Sequence, residues 1–144
     1  MVIRFTIPGD PKGKGRPRLG RSGHAYTPHD TAMYENLVKL CFTDENPEHT
    51  PIPPGIPIRV IIWAYYSIPK SISKKNRMAM LLDWLRPVKK PDCDNIAKIV
   101  CDALNGIAYA DDSQIVEMTI IKHYSETPRV EAKIETLEVD NGEK

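Results

Sequence analysis

Asp92-Cys93-Asp94-Asn95-Ile96-Ala97-Lys98-Ile99-Val100-Cys101-Asp102-Ala103-Leu104-Asn105-Gly106 is the stretch from which the fold of this chain is read. Ile96, Ile99, Val100, Ala103 and Leu104 recur at three- and four-residue spacing, which places them on one face of a helix. Asp94 or Asn95 can cap its start, and Asn105-Gly106 is a stop signal. A short strand, Ile107 to Ala110, then leads to a second acidic pair, Asp111-Asp112. One amphipathic helix with acids at its start and more acids one short strand beyond its end belongs to a compact domain in which the chain turns back on itself.

Upstream, Ile58 to Ser67 is rich in branched and aromatic residues on both faces and reads as a central strand. Ser71 or Ser73 opens a basic helix in which Met78, Leu81, Leu82 and Leu85 share a face, with Pro87 after its end. Before the central strand, Asn46 to Pro57 holds five prolines and reads as a stiff connector without regular structure. A helix precedes it: Thr27 is placed as N-cap, Pro28 at the first helical position, and Met33, Leu37, Leu40 and Cys41 recur at helical spacing. Val2 to Ile7 alternates as a first strand, and the loop Gly9 to Gly23, with five glycines, separates the two. Downstream, Gln114 to Tyr124 and Arg129 to Val139 read as two strands joined by Ser125-Glu126-Thr127-Pro128 in a hairpin. The order β-α-β-α-α-β-β describes an α+β domain, a small mixed sheet covered by helices, and 144 residues with 41% hydrophobic content suit one such domain spanning 1–144.

No apolar run reaches the roughly 18 residues of a membrane span, and the N-terminal strand has no cleavage-site pattern, so a cytosolic protein is expected. Cys41, Cys93 and Cys101 are an odd set without a C-x-x-C pair, which points to reduced thiols rather than a disulfide framework or a zinc site. The formal charge of +1 conceals an asymmetry. Residues 1–30 carry six basic groups against two acids, residues 70–90 seven against one, and residues 111–144 nine acids against four bases. Two basic segments can converge into one phosphate-binding surface, with Lys12, Lys14, Arg16 and Arg18 in the first and Lys74, Lys75, Lys89 and Lys90 in the second. A pair of solvated loops is the competing reading.

Each of Asp92, Asp94, Asp111 and Asp112 taken alone suits a helix cap or a turn. Four together favour a site, because carboxylates brought close repel one another unless a proton or a divalent cation lies between them. An all-oxygen set, with His24, His29, His49 and His123 scattered, suits Mg²⁺ or Mn²⁺. Lys98 lies one turn beyond Asp94 on the same face, where it can form an ordinary ion pair or stabilise charge on a reacting phosphate; Asp102 is read as a structural partner for it. Metal, phosphate and basic segments together point to nucleic-acid hydrolysis.

Lys90-Pro-Asp-Cys-Asp-Asn-Ile-Ala-Lys98, Asp102-Ala-Leu-Asn-Gly106 and Tyr109-Ala-Asp-Asp-Ser-Gln-Ile115 resemble the signature of the RusA family of Holliday junction resolvases. The resemblance implies a homodimer of small α+β subunits that binds a four-way DNA junction and makes paired nicks with Mg²⁺ in recombination and repair. By motif it implies that Asp92, Asp94 and Asp112 bind metal, with Asp111 close by, and that Lys98 is the essential lysine. A non-catalytic DNA-binding module and a metal-dependent nucleotide phosphohydrolase remain as alternatives.

Overall fold

A computed structural model describes residues 1–16, 18–26 and 28–138, without the side chains of Arg18 and Tyr26. The strands are β1 (Val2–Pro8), β2 (Arg18–Leu19), β3 (Ala25–Tyr26), β4 (Ile58–Ser67), β5 (Ile115–Ser125) and β6 (Arg129–Thr136). The helices are α1 (His29–Glu45), α2 (Lys74–Leu81) and α3 (Cys93–Leu104). Four strands form one mixed sheet in the order β1-β6-β4-β5, and β2, inside the Gly9 to Gly23 segment expected to be all loop, forms a separate two-stranded ladder with β3 just beyond it.

β4 is interior, as its composition predicts. Ile58, Val60, Ile62, Ala64 and Tyr66 are buried, while Arg59, Ile61, Trp63, Tyr65 and Ser67 alternate with them on the half-buried opposite face. The β4-to-β5 connection runs through two helices, so the strands pair in parallel, the usual outcome of a helical crossover. The expected hairpin between the last two strands does not form: β6 pairs antiparallel with β4 and β1 instead. β4 already occupies one edge of β5. The other edge is covered near its C-terminal end, where Arg86 Nε donates to the Lys122 carbonyl at 2.7 Å. Residues 126–128 therefore cross the end of β4. Arg129 fixes this crossing by donating to Thr127 O at 2.8 Å and lying 4.0 Å from the Tyr65 ring centroid.

Helices α1 and α3 lie against each other, and α1 also lies against β1. From α3 the buried residues are Ile96, Ile99, Val100, Cys101, Ala103 and Leu104, which includes the whole predicted stripe. Complete burial of each large aliphatic side chain there contributes roughly 1.5–3 kcal/mol. On α1 the buried set is Thr31, Tyr34, Val38 and Phe42, with Phe42 edge-on to Phe5 at 5.2 Å. The expected stripe lay on another face: Met33 is 58% and Leu40 66% exposed, while Leu37 and Cys41 pack at the margin of the core. The helix carries apolar residues on both faces, and the aromatic face is the one the sheet accepts. Pro28 occupies the cap position rather than the first turn, and Thr27 lies outside the described residues.

Ser73 caps α2 by accepting from Asn76 N at 3.1 Å. The helix stops at Leu81, short of the expected Leu85, because Asp83 turns left-handed at φ 62°. The Trp84 N–H then bonds back to Ala79 O and the Asp83 N–H to Met80 O, closing the helix in the doubly hydrogen-bonded pattern usually made by glycine. Asp83 Oδ1 lies 3.0 Å from His123 Nδ1, which secures the strained residue to β5. Met78, Leu81, Leu82 and Leu85 are consequently exposed rather than packed on the sheet.

After α3, residues 107–110 form a turn with isolated bridges from Tyr109 to Ile52 and to Asn105, not a strand. The following one-turn 3₁₀ helix, Asp112–Gln114, ends in a buried glutamine. Gln114 Nε2 donates to Pro53 O at 2.8 Å and Ile56 O at 3.1 Å, and its Oε1 accepts from Asp111 N at 2.9 Å. One side chain thus ties the proline-rich connector to the acidic turn. Gln114→Leu leaves these three backbone groups without partners and is expected to lower unfolding free energy by roughly 1–3 kcal/mol, measured by urea denaturation.

Candidate active site

The acids of the opening segment divide into two kinds. Asp92, not Asp94 or Asn95, caps α3: its Oδ1 accepts from Asn95 N at 3.1 Å. Asp94 then falls in the first turn, where a negative charge complements the helix dipole and the side chain is exposed. Asp111 caps the 3₁₀ turn in a reciprocal capping box with Gln114. Hydrogen bonds from the Ser113 hydroxyl and then its N–H hold the Asp111 carboxyl below the usual carboxylate range. Capping therefore accounts for Asp92 and Asp111, two of the four acids, whereas Asp94 and Asp112 are left to face solvent.

Asp94 and Asp112 line the same open cavity of about 480 Å³, together with Lys98, Asp102 and residues Val116 to Met118 of β5. α3 contributes one wall and the start of β5 the other. Ala97, Cys101 and Ile115 complete the lining. Tyr109, wholly buried, donates from its hydroxyl to Cys101 O at 2.7 Å, and burial pushes the Cys101 thiol up to about 11. Lys98 is exposed and reaches Asp102 Oδ2 at 3.2 Å, the i,i+4 pair expected from the sequence.

The acids expected to meet are not gathered into a closed cluster. Among the described residues no three of His, Cys, Asp and Glu stand close enough to enclose a cation by themselves, and Asp92 is turned to the helix cap rather than lining the cavity. The donor set nevertheless suits a hard divalent ion. Mg²⁺ is commonly bound through one or two carboxylates, with waters and substrate phosphate oxygens completing its shell, and Asp94 and Asp112 supply such a pair. Two of the four histidines take other roles: His49 lies 2.9 Å from Ala108 O and edge-on to Phe42, and His123 stacks on Tyr65.

The two basic segments come together at the start of α3. Lys14 N donates to Asn95 O at 3.2 Å, and a Cβ on Gly13 would lie 3.0 Å from Pro91 Cβ and 3.1 Å from Asn95 Cβ. The Lys12 to Arg16 loop therefore lies directly against the segment that follows Lys89 and Lys90. Lys12, Arg16, Lys74, Lys75, Lys89 and Lys90 are exposed, and the side chain of Arg18 lies outside the described residues. Lys14 differs. Its ammonium lies 2.5 Å from Glu35 Oε1 and 3.3 Å from Asp102 Oδ2. Desolvation pulls its pKa down, but bonding to Glu35 and Asp102 outweighs that and raises it. Neither partner is near Lys14 in sequence, so charge counting alone finds a basic loop and misses the ion pairs.

A family model described as Endodeoxyribonuclease RusA matches residues 8–135, a span that holds β4, β5, nearly all of β6 and the whole signature segment; the chain belongs to this family of DNA-hydrolysing enzymes. A curated relative is the protein of Bacillus subtilis (strain 168) named uncharacterized protein YqaN. It is 41% identical over 137 residues, which cover 92% of this chain and 94% of the relative. No helix among the described residues is long and apolar enough to cross a membrane.

Proposed function

We propose that the chain is a Mg²⁺-dependent, structure-selective endonuclease that resolves four-way DNA junctions by paired nicks in recombination and repair, acting as a cytoplasmic homodimer. The observation that carries this reading is the shared cavity in which Asp94 and Asp112 face Lys98, beside two converging basic segments, in a chain of an endodeoxyribonuclease family. Asp94 and Asp112 would hold the cation, with Asp92 and Asp111 contributing from the adjoining caps. Mn²⁺ suits the same oxygen donors. When bound, the cation supplies Lewis-acid polarisation of the phosphate and a lowered pKa for attacking water.

The chain's own residues do the rest. Lys98 presents a positive charge to the negative charge that builds up on the phosphate as water adds and the 3′ oxygen leaves. The products are a 5′-phosphate and a 3′-hydroxyl. Lys12, Arg16, Lys74, Lys75, Lys89 and Lys90, with Arg18, hold the sugar-phosphate backbone without reading bases, so selectivity comes from junction shape. Each protomer would bring one Asp94–Asp112 cavity, and two matched nicks in a nearly symmetric junction call for two-fold pairing.

Incubation of the purified protein with a synthetic four-way junction, a linear duplex of the same sequence and a nucleotide triphosphate, each with Mg²⁺ or EDTA, tests this reading. Metal-dependent cleavage of the junction alone is expected. Binding without cleavage supports the DNA-binding module instead, and turnover of the nucleotide supports a phosphohydrolase.

A further inference from the structure

Lys14 sits in the basic loop yet is built into the protein. Its side chain is only 18% exposed, against 16% for Glu35 and 26% for Asp102. Its main chain is fixed on both sides, with Lys14 N on Asn95 O and Gly15 N on Thr31 Oγ1 at 3.0 Å. Glycine is required at Gly15, where a Cβ would come within 2.6 Å of that hydroxyl. A lysine held at both main chain and ammonium is not free to follow a DNA backbone.

Asp102 Oδ2 pairs with two ammonium groups at once, accepting from Lys98 at 3.2 Å and lying 3.3 Å from Lys14. Lys98 is 61% exposed, and alone its i,i+4 pair would be a weak surface contact unable to hold so flexible a side chain. Lys14 changes this. It pins the carboxylate from the protein side, and Glu35, on α1, pins Lys14 in turn. A chain of charges therefore runs from α1 through the loop and α3 to the cavity.

We propose that Lys14 is a positioning residue for DNA cleavage: through the shared Oδ2 of Asp102 it fixes the stance of the Lys98 ammonium at the cavity, and it makes no contact with DNA phosphate. The proposal rests on the role given to Lys98 above. Single-turnover cleavage of a four-way junction at saturating protein, and junction affinity across a salt series, test it for Lys14→Met, Asp102→Asn, the double variant and Lys98→Met.

Lys14→Met is expected to cleave roughly tenfold to a hundredfold more slowly, the usual cost of a loosened catalytic group. Its affinity and the slope of log affinity against log salt are expected to match the parent, whereas Lys12→Met lowers that slope by about 0.9. The double variant is expected to be no slower than the slower single variant, because both changes break one chain. Lys14→Arg, which keeps a charge at the same place, should recover part of the rate. An unchanged rate in Lys14→Met, a slope reduced as in Lys12→Met, or additive losses in the double variant would overturn the proposal. If Lys14→Met does not fold by circular dichroism, Asp102→Asn decides alone: slower cleavage with unchanged affinity supports the chain of charges, and an unchanged rate refutes it. A parental rate in Lys98→Met would instead remove the role of Lys98, a failure distinguishable from failure of Lys14 alone.

Discussion

Asp94→Asn is expected to reduce single-turnover junction cleavage by roughly 10³-fold or more while leaving junction binding intact. The change preserves size and removes the charge with which the side chain would hold a divalent cation, so the loss falls on the metal-assisted step, to which several kcal/mol of transition-state stabilisation are ascribed. Asp112→Asn should behave alike, because it faces the same cavity from the opposite wall. Asp111→Asn is the informative contrast. Asp111 caps the 3₁₀ turn through Ser113 and Gln114, and asparagine is itself a good cap, so the turn should be kept and the loss of rate, expected to be smaller than for Asp94→Asn, reads only what the Asp111 charge contributes at the cation. Electrophoretic mobility shift at low temperature measures binding, and denaturing gels measure cleavage. Equal losses from Asp111→Asn and Asp94→Asn would mean that the Asp111 carboxylate holds the cation as fully as Asp94 does, against the division into capping and cavity-facing acids.

Junction affinity should fall on the order of 10³-fold between 50 and 200 mM salt. The estimate follows from six exposed lysines and arginines (Lys12, Arg16, Lys74, Lys75, Lys89 and Lys90), each contributing about 0.9 to the logarithmic slope when it neutralises a phosphate. A slope near zero would mean that the basic segments do not meet the DNA backbone. Substituting each in turn locates the surface, since a true phosphate contact lowers the slope as well as the affinity.

The parts of the fold legible in the sequence are those with one dominant signal. The α3 stripe has a single apolar face, and β4 carries apolar residues on both faces, so both emerge where expected. Where two signals compete, the structure decides. Asp92 and Asp94 are equally good cap residues, and only the entry path of the chain from Pro91 selects Asp92. α1 offers two apolar faces, and the sheet takes the one bearing Tyr34, Val38 and Phe42. A three-residue connection after β5 suits a hairpin or a crossing over one strand; the prior pairing of β4 with β5 makes it the latter. The site follows the same logic. The acids and Lys98 are visible as a motif, but the pinning of Lys14 depends on Glu35 and Asp102, which lie 21 and 88 residues away and meet it only in three dimensions.

The most direct test of the metal site is a Mn²⁺ titration of the ¹⁵N-labelled protein with an uncleaved linear duplex present, followed by paramagnetic broadening of backbone amides. Broadening that begins at Asp94 and Asp112 and spreads to Lys98 is the predicted result. Broadening centred on other acids, with Asp94 and Asp112 unaffected at saturation, would contradict a cation held between α3 and the start of β5.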